Sequence, residues 1–337
     1  MKRRIAMLSV LAAAALAGGC GGEGGLLVRP VPVDRSLRET VVLADPGWYN
    51  EKVALIPVEG LIVNEETGDL FRPGENPVSL FAEQLDVAAA DPKVKAVVLR
   101  INSPGGTVQA TEAMYLRLMR FRQDTGKPVI ACITSVGASG GYYLACGGQQ
   151  IVCQPTSITG SIGVVVQTVS FQGLLRKLGV KTEAVDSGGL KTMGSPLEDL
   201  DEAERRVFQN MVNEFHRQFV EAVARGREQL SAEEVRPLAD GRIYTGEQAL
   251  AHGLVDRLGD IRAAVGQAKA AAGLDRAKVV IYHRPLGYKG STYAAAGPAG
   301  RTQINLVNLE TGRLAALSRP GFLYLWTAEG AAGEGAD

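Results

Sequence analysis

A chain of 337 residues, 46% hydrophobic, with 36 basic and 36 acidic side chains, is long enough to bury one large α/β domain or two small ones. Its zero formal charge, with no basic run beyond the first residues, argues against nucleic acid as a partner. Glycine is abundant at 41 and aromatics make up only 6%, without collagen-like periodicity, a balance suited to strand–helix units at close backbone approach.

Met1-Lys-Arg-Arg4 is a basic start, and Ile5 to Leu16 is an apolar run too short to span a bilayer as a permanent helix. Together they read as an export signal over residues 1–19. Ala17-Gly18-Gly19-Cys20 ends it with small residues directly before a cysteine, which resembles the lipobox of bacterial lipoproteins. That resemblance implies lipidation of the Cys20 thiol, attachment to a cell membrane, and export of the remaining chain from the cytoplasm. Ala17 stands where a lipobox carries leucine, so an ordinary cleaved signal with an incidental Cys20 is the alternative. More than one acyl chain makes such an anchor firm. Residues 21–50 carry Gly, Pro and charge without periodicity and read as a tether and stalk.

Lys52–Gly60 predicts a first strand, and Pro77–Ala90, apolar at 78, 81, 85 and 88, one amphipathic helix. Val94–Ile101 predicts a strand broken by Asn102-Ser-Pro-Gly-Gly106, after which Thr107 caps a helix to about Arg122. Pro128–Thr134 is a β-branched run of the kind that forms a buried strand, followed by a helix over 139–147 and a short strand at 150–153. The chain returns to β at Thr159–Val166, then predicts a helix at Phe171–Leu178 and a strand at Val180–Val185. A long charged helix over Leu200–Arg227 and a shorter one over 232–238 follow. Repeated strand–helix units imply a parallel sheet with helices packed on it. Beyond about Tyr282 the pattern loosens, with an amphipathic patch at 304–317 and Phe322-Leu-Tyr-Leu-Trp326 near the end. The expected organisation is one folded domain over 51–275 and a C-terminal extension over 276–337.

Ser135-Val-Gly-Ala-Ser139-Gly-Gly-Tyr-Tyr143 carries the chemistry. Glycines at 137, 140 and 141 remove the Cβ atoms that would block a sharp strand-to-helix turn, and a serine at its apex is exposed beside helix-start amides. Serine between glycines is also common in plain loops, so its base decides the matter. The candidates are few. His216 lies within the long charged helix, His252 precedes Gly253 at a helix end, and His283 sits where the pattern loosens. Lysine is the other option, provided that desolvation lowers its pKa. Lys191 stands in Asp186-Ser-Gly-Gly-Leu-Lys-Thr-Met-Gly-Ser-Pro196, a Gly-flanked loop after a predicted strand. Gly105 and Gly106 follow a strand and can turn an amide toward the site. One of them, with the N–H of Gly140, makes a candidate oxyanion hole. Ser103 reads as a turn residue and Asn102 as a cap of that turn. Cys132, Cys146 and Cys153 lie in apolar surroundings with no metal-ligand spacing; Cys146 and Cys153 either pair or remain buried thiols. Nothing calls for a cofactor or metal.

Five fragments in order carry a wider resemblance: Arg100-Ile-Asn-Ser-Pro-Gly-Gly106, Ala138-Ser-Gly-Gly-Tyr-Tyr143, Thr159-Gly-Ser-Ile-Gly-Val164, Ser187-Gly-Gly-Leu-Lys-Thr192 with Ser195-Pro196, and Asp240-Gly-Arg-Ile-Tyr-Thr-Gly246 with Gly253-Leu-Val-Asp256. Together, spread over Lys52 to Leu274, they resemble the signal peptide peptidase A family of serine–lysine proteases, within the fold group of Clp-type peptidases and crotonases. The resemblance implies an α/β fold of repeated β-β-α units, Ser139 as nucleophile, Lys191 as general base and Ser161 as positioner of the lysine amine. It also implies apolar peptides such as spent signal peptides as substrates, and a homo-oligomeric ring that completes each site between subunits. Members are commonly held by a transmembrane segment, where this chain offers Cys20. The competing readings are an α/β-hydrolase esterase using Ser139 with a downstream histidine, a crotonase-like acyl-CoA enzyme, and a non-enzymatic lipoprotein scaffold.

Overall fold

The computed structural model describes residues 36–66, 75–285 and 321–326. The stretch read as an export signal, Cys20 and the patch at 304–317 lie outside them.

The framework is a mixed sheet. Strands β1 (Arg38–Ala44), β2 (Lys52–Ile62), β3 (Val94–Thr107), β4 (Val129–Ala138), β5 (Gln150–Cys153), β9 (Arg257–Leu258) and β10 (Lys278–His283) lie in the order β1-β10-β2-β3-β4-β5-β9. All neighbours from β10 to β9 are parallel, and β1 runs antiparallel to β10. The sheet thus takes in β1, from the stretch read as a stalk, and β10, from the stretch read as an extension. Helices α1 (Pro77–Ala90), α2 (Val108–Thr125) and α3 (Gly140–Ala145) make the crossovers, α4 (Gln172–Lys177) and α5 (Glu202–Gly226) follow, and α6 (Ala232–Val235), α7 (Gly246–Ala251) and α8 (Ile261–Ala271) complete the α-helices among the described residues, with a 3-10 turn at Arg236–Leu238 after α6.

Both faces of the sheet are buried, which is why the middle of β3, Ala96–Leu99, is apolar at every position. Val97, Leu99 and Ile101 point to the larger core, shared with Phe81 and Leu85 of α1, Met114 and Leu118 of α2, and Phe219 and Val223 of α5. Ala96 and Val98 point to the other face, covered by Ile261, Ala264, Val265 and Ala268 of α8. The helix ends follow their sequence signals. Asn76 accepts the Val78 and Ser79 amides ahead of α1, Thr107 Oγ1 accepts the Ala110 amide at 3.3 Å, and Gly126 closes α2 in the left-handed region at φ 66°.

Two expectations are corrected. Asn102–Gly106 does not break β3, because the strand continues through it by pairing Gly105 and Gly106 with Leu61 and Ile62 of β2, with a register shift that absorbs the turn residues. Residues 180–185 form no strand: no neighbouring strand pairs with them, and Val185 is 96% exposed. The three described cysteines are free and buried, so Cys146 and Cys153 do not pair.

Four short strands build the rim. β6 (Ile158–Gly160) runs parallel beside the end of β4, and β8 (Ile243–Thr245) pairs antiparallel with β6. β11 (Phe322–Leu325) lies between the end of β3 and β7 (Val165–Val166), antiparallel to both.

Candidate active site

Ser139 stands between β4 and α3, at φ 52° and ψ −118°, a conformation that L-residues rarely hold. The surroundings enforce it. Its N–H donates to the Gly160 carbonyl at 2.8 Å, its carbonyl accepts the Tyr143 amide at 2.9 Å, and the Tyr142 hydroxyl ties α3 to the Leu254 carbonyl at 2.7 Å. Gly141 follows because a methyl group there would lie 2.6 Å from the Ser103 carbonyl oxygen. The elbow is therefore packed from beneath, and Ser139, expected to be exposed, is only 1% exposed, because β11 also covers the glycines beside it, with the Tyr324 carbonyl against Gly105 and Gly140.

Ser161 sits one strand away in the same unusual region, at φ 50°. Ala138 and Gly160 are register partners, so the two serines leave adjacent parallel strands at one level. Ser161 N–H donates to the Arg242 carbonyl at 2.7 Å. Arg242 is fixed in turn by Asp240, with Nε to Oδ2 at 2.8 Å, and that guanidinium holds the Asp240 carboxyl down to about 2. The fragment Asp240–Gly246 is thus a brace for the Ser161 loop. Ser161, Val165, Asn213, His216 and Leu323 line a cleft of about 360 Å³.

The opposite wall is the end of β3. Gly105 has φ 101°, and a methyl group on it would lie 2.7 Å from the Gly140 nitrogen. The two backbones beside Ser139 are therefore in direct contact. Ser103, read as a turn residue, is fully buried: its hydroxyl donates to the Gly60 carbonyl at 2.6 Å and accepts the Gly105 amide at 3.1 Å. It holds the Gly-Gly segment against the elbow, and its place inside the Arg100–Gly106 fragment was the available signal. Asn102 braces the same corner by accepting the Val136 amide at 3.4 Å.

Lys191 is exposed on its loop, and no hydrogen bond or ion pair joins its amine to Ser139. The histidines are engaged elsewhere. His216 Nε2 meets the Ala239 carbonyl at 2.7 Å, His252 lies edge-on to Tyr244, and His283 is buried between Thr40 Oγ1 and the Arg284 carbonyl. None bonds to Ser139. Among the described residues no cluster of His, Cys, Asp and Glu is arranged to hold a metal ion.

A serine on a strained elbow, flanked by glycine backbone and set in a parallel sheet with helices on both faces, defines a serine hydrolase of the Clp-peptidase type. The profile of peptidase family S49 matches residues 121–275, which include Ser139, Ser161 and Lys191. A protein of Enterococcus faecium provisionally named signal peptide peptidase SppA is 35% identical over 238 residues, 71% of this chain and 69% of that protein. Protease 4 of Salmonella typhi is 37% identical over 233 residues, 69% of this chain but 36% of its own length. A chloroplastic serine protease SPPA of Arabidopsis thaliana is 32% identical over 235 residues, 68% of this chain and 34% of the relative. The chain belongs to peptidase family S49, the signal peptide peptidase A family, and is a serine peptidase.

Proposed function

We propose that this peptidase works with a Ser139/Lys191 dyad, as a membrane-attached homo-oligomer that cuts extended apolar peptides such as residual signal peptides. Ser139 Oγ attacks the scissile carbonyl carbon while its proton passes to Lys191 Nζ. The oxyanion is held by the N–H groups of Gly140 and Gly106, since the Gly105 N–H is given to Ser103 Oγ. Lys191 then protonates the leaving amine; its neutral Nζ next takes a proton from water, whose oxygen attacks the acyl carbon, and returns that proton to Ser139 Oγ as the ester bond breaks. Ser161 positions the lysine. The observation that carries this reading is the contact of the Gly105 and Gly140 backbones beside a strained Ser139 that no histidine serves.

The subunit arrangement rests on the segment that bears Lys191. Val169, Phe171, Leu174, Leu178, Val180, Val185, Leu190 and Leu197 are all exposed, Leu178 by 67%. So much apolar surface on one segment marks an interaction surface, and a second copy of the chain is the occupant proposed here. Docking of that segment would carry Lys191 to a neighbouring Ser139. Export and a diacylglyceryl group on Cys20 would supply the membrane attachment.

Lys191→Ala, and equally Lys191→Arg, is expected to abolish cleavage, since arginine does not release its proton near neutrality. Mixing inactive Ser139→Ala and Lys191→Ala chains is expected to restore part of the activity. Failure of verified mixed oligomers to recover any would place both residues in one chain. Activity lost in His216→Ala but kept in Lys191→Ala would favour the esterase reading.

A further inference from the structure

The loop between β1 and β2 carries the most exposed large apolar side chain among the described residues. Trp48 lies wholly in solvent, within Asp45-Pro-Gly-Trp-Tyr-Asn50. The loop around it is nevertheless braced. Asp45 accepts the Ala277 amide at 3.0 Å and Lys269 Nζ at 2.8 Å, and the Tyr49 hydroxyl donates to the Asp45 carbonyl. Lys278 Nζ stands over the Tyr49 ring, 5.9 Å from its centre. Gly47 has φ 110°, and a methyl group on it would lie 2.5 Å from the Arg276 guanidinium. A held loop thus presents an indole that no described part of the chain covers, with cationic side chains at its foot.

The charge beside Trp48 is mainly positive. Asp45 is matched by Lys269, and Asp91 by Lys52, whereas Arg276 and Lys278 enter no ion pair with a described carboxylate. Lys93 and Lys95, both exposed, add to the same edge at the start of β3, against Glu51 and Asp275. The apolar content is small: one indole, Pro46 and the partly exposed Tyr49. That is too little for the core of a protein–protein interface, which takes about 800 Å² from each partner. It suits the headgroup level of a bilayer, where the amphipathic ring of tryptophan settles and nearby Lys and Arg meet anionic lipid. Covalent reach allows it. Residues 21–37 can span at most about 60 Å, against about 23 Å for the length of β1, so Cys20 and the loop can reach one bilayer.

We propose that the Trp48 loop is a membrane contact of the folded domain: its indole enters the interface of a bilayer with anionic headgroups, and Arg276 and Lys278 meet the phosphates. This rests on the reading that the chain works at a membrane. A lipid on Cys20 would hold the chain through a long tether; the loop sets which edge of the domain faces the bilayer. The loop lies where β10 and β2 begin, whereas Ser139 follows the end of β4. A bilayer bound there leaves the edge that bears the nucleophile uncovered.

The test uses the full chain with Trp326→Phe, which leaves Trp48 as its single tryptophan. Vesicles of phosphatidylcholine, with or without phosphatidylglycerol, carry acyl chains brominated near the headgroup. Flotation reports attachment, and quenching by bromine reports entry of the indole. The expected result is a blue-shifted Trp48 emission, quenched by about half or more on vesicles with phosphatidylglycerol. Arg276→Gln is expected to lower the ratio of inserted to free loop by about fivefold, and high salt to weaken quenching likewise. Unchanged emission from a chain that floats with the vesicles overturns the proposal and leaves attachment through Cys20 standing. Quenching that is equal on phosphatidylcholine alone overturns the part given to Arg276 and Lys278. Quenching of a chain that carries no fatty acid on Cys20 supports the loop and refutes the lipid. A chain that neither floats nor is quenched refutes both.

Discussion

Ser139 and Ser161 are the two described non-glycine residues with positive φ, and the Ser139 N–H donates to the carbonyl of Gly160, the residue directly before Ser161. Strain of this kind persists only where the surroundings over-determine it. Here β4, β6 and β8 do so in series, through Gly160 to Ser139 and through Arg242 to Ser161. The arrangement fixes two hydroxyl-bearing residues at the ends of paired strands.

The contact across the elbow makes Gly105 intolerant of a side chain. A methyl group there meets backbone rather than a flexible side chain, at a φ that disfavours L-residues. Gly105→Ala is expected to lower kcat by about a hundredfold or more, the scale of losing an oxyanion donor, even where circular dichroism shows a folded chain. Gly126→Ala, a positive-φ glycine in open space at the far end of α2, is the control and is expected to keep its activity.

Much of this site was legible because its signals are local. The run Val94–Ile101 reads as a buried strand since both of its faces are covered, and the alternation of Gly with Ser139 reads as a sharp turn whatever the rest of the chain does. Ser103 was misread because Ser-Pro-Gly-Gly is also the signature of a solvent turn; only the distant Gly60 carbonyl makes it a buried brace. Val180–Val185 has strand-like alternation, but a strand needs a partner, and none adjoins it. β11 was visible as an apolar run, Phe322–Trp326, yet its slot between β3 and β7 is a long-range pairing that no local pattern encodes.

The base of α3 depends on a charge pair. Arg227 is almost fully buried and paired with both oxygens of Asp256, which also accepts the Ile151 amide at 2.7 Å. Asp256→Ala leaves the guanidinium without its counter-charge and is expected to cost about 3–5 kcal/mol of stability. Denaturant unfolding measures it, and a loss below about 1 kcal/mol, the level of a surface pair, would contradict the role.

Burial pushes the thiols of Cys132, Cys146 and Cys153 up to about 12. Because the thiolate is the reacting form, none should be alkylated by iodoacetamide at pH 8 in the native protein, while all three should react after unfolding. Mass spectrometry of the digested protein reads each site. Rapid native labelling at any of them would show that the core around α3 opens more readily than this packing allows.

Ser139 as the nucleophile is tested most directly by peptide hydrolysis by Ser139→Ala beside wild type at equal folded concentration. The substitution deletes one hydroxyl from a turn held by backbone contacts, so thermal unfolding should show a folded protein. Cleavage is expected to fall by about three powers of ten or more. Turnover by the folded alanine variant at the wild-type rate would contradict the assignment outright.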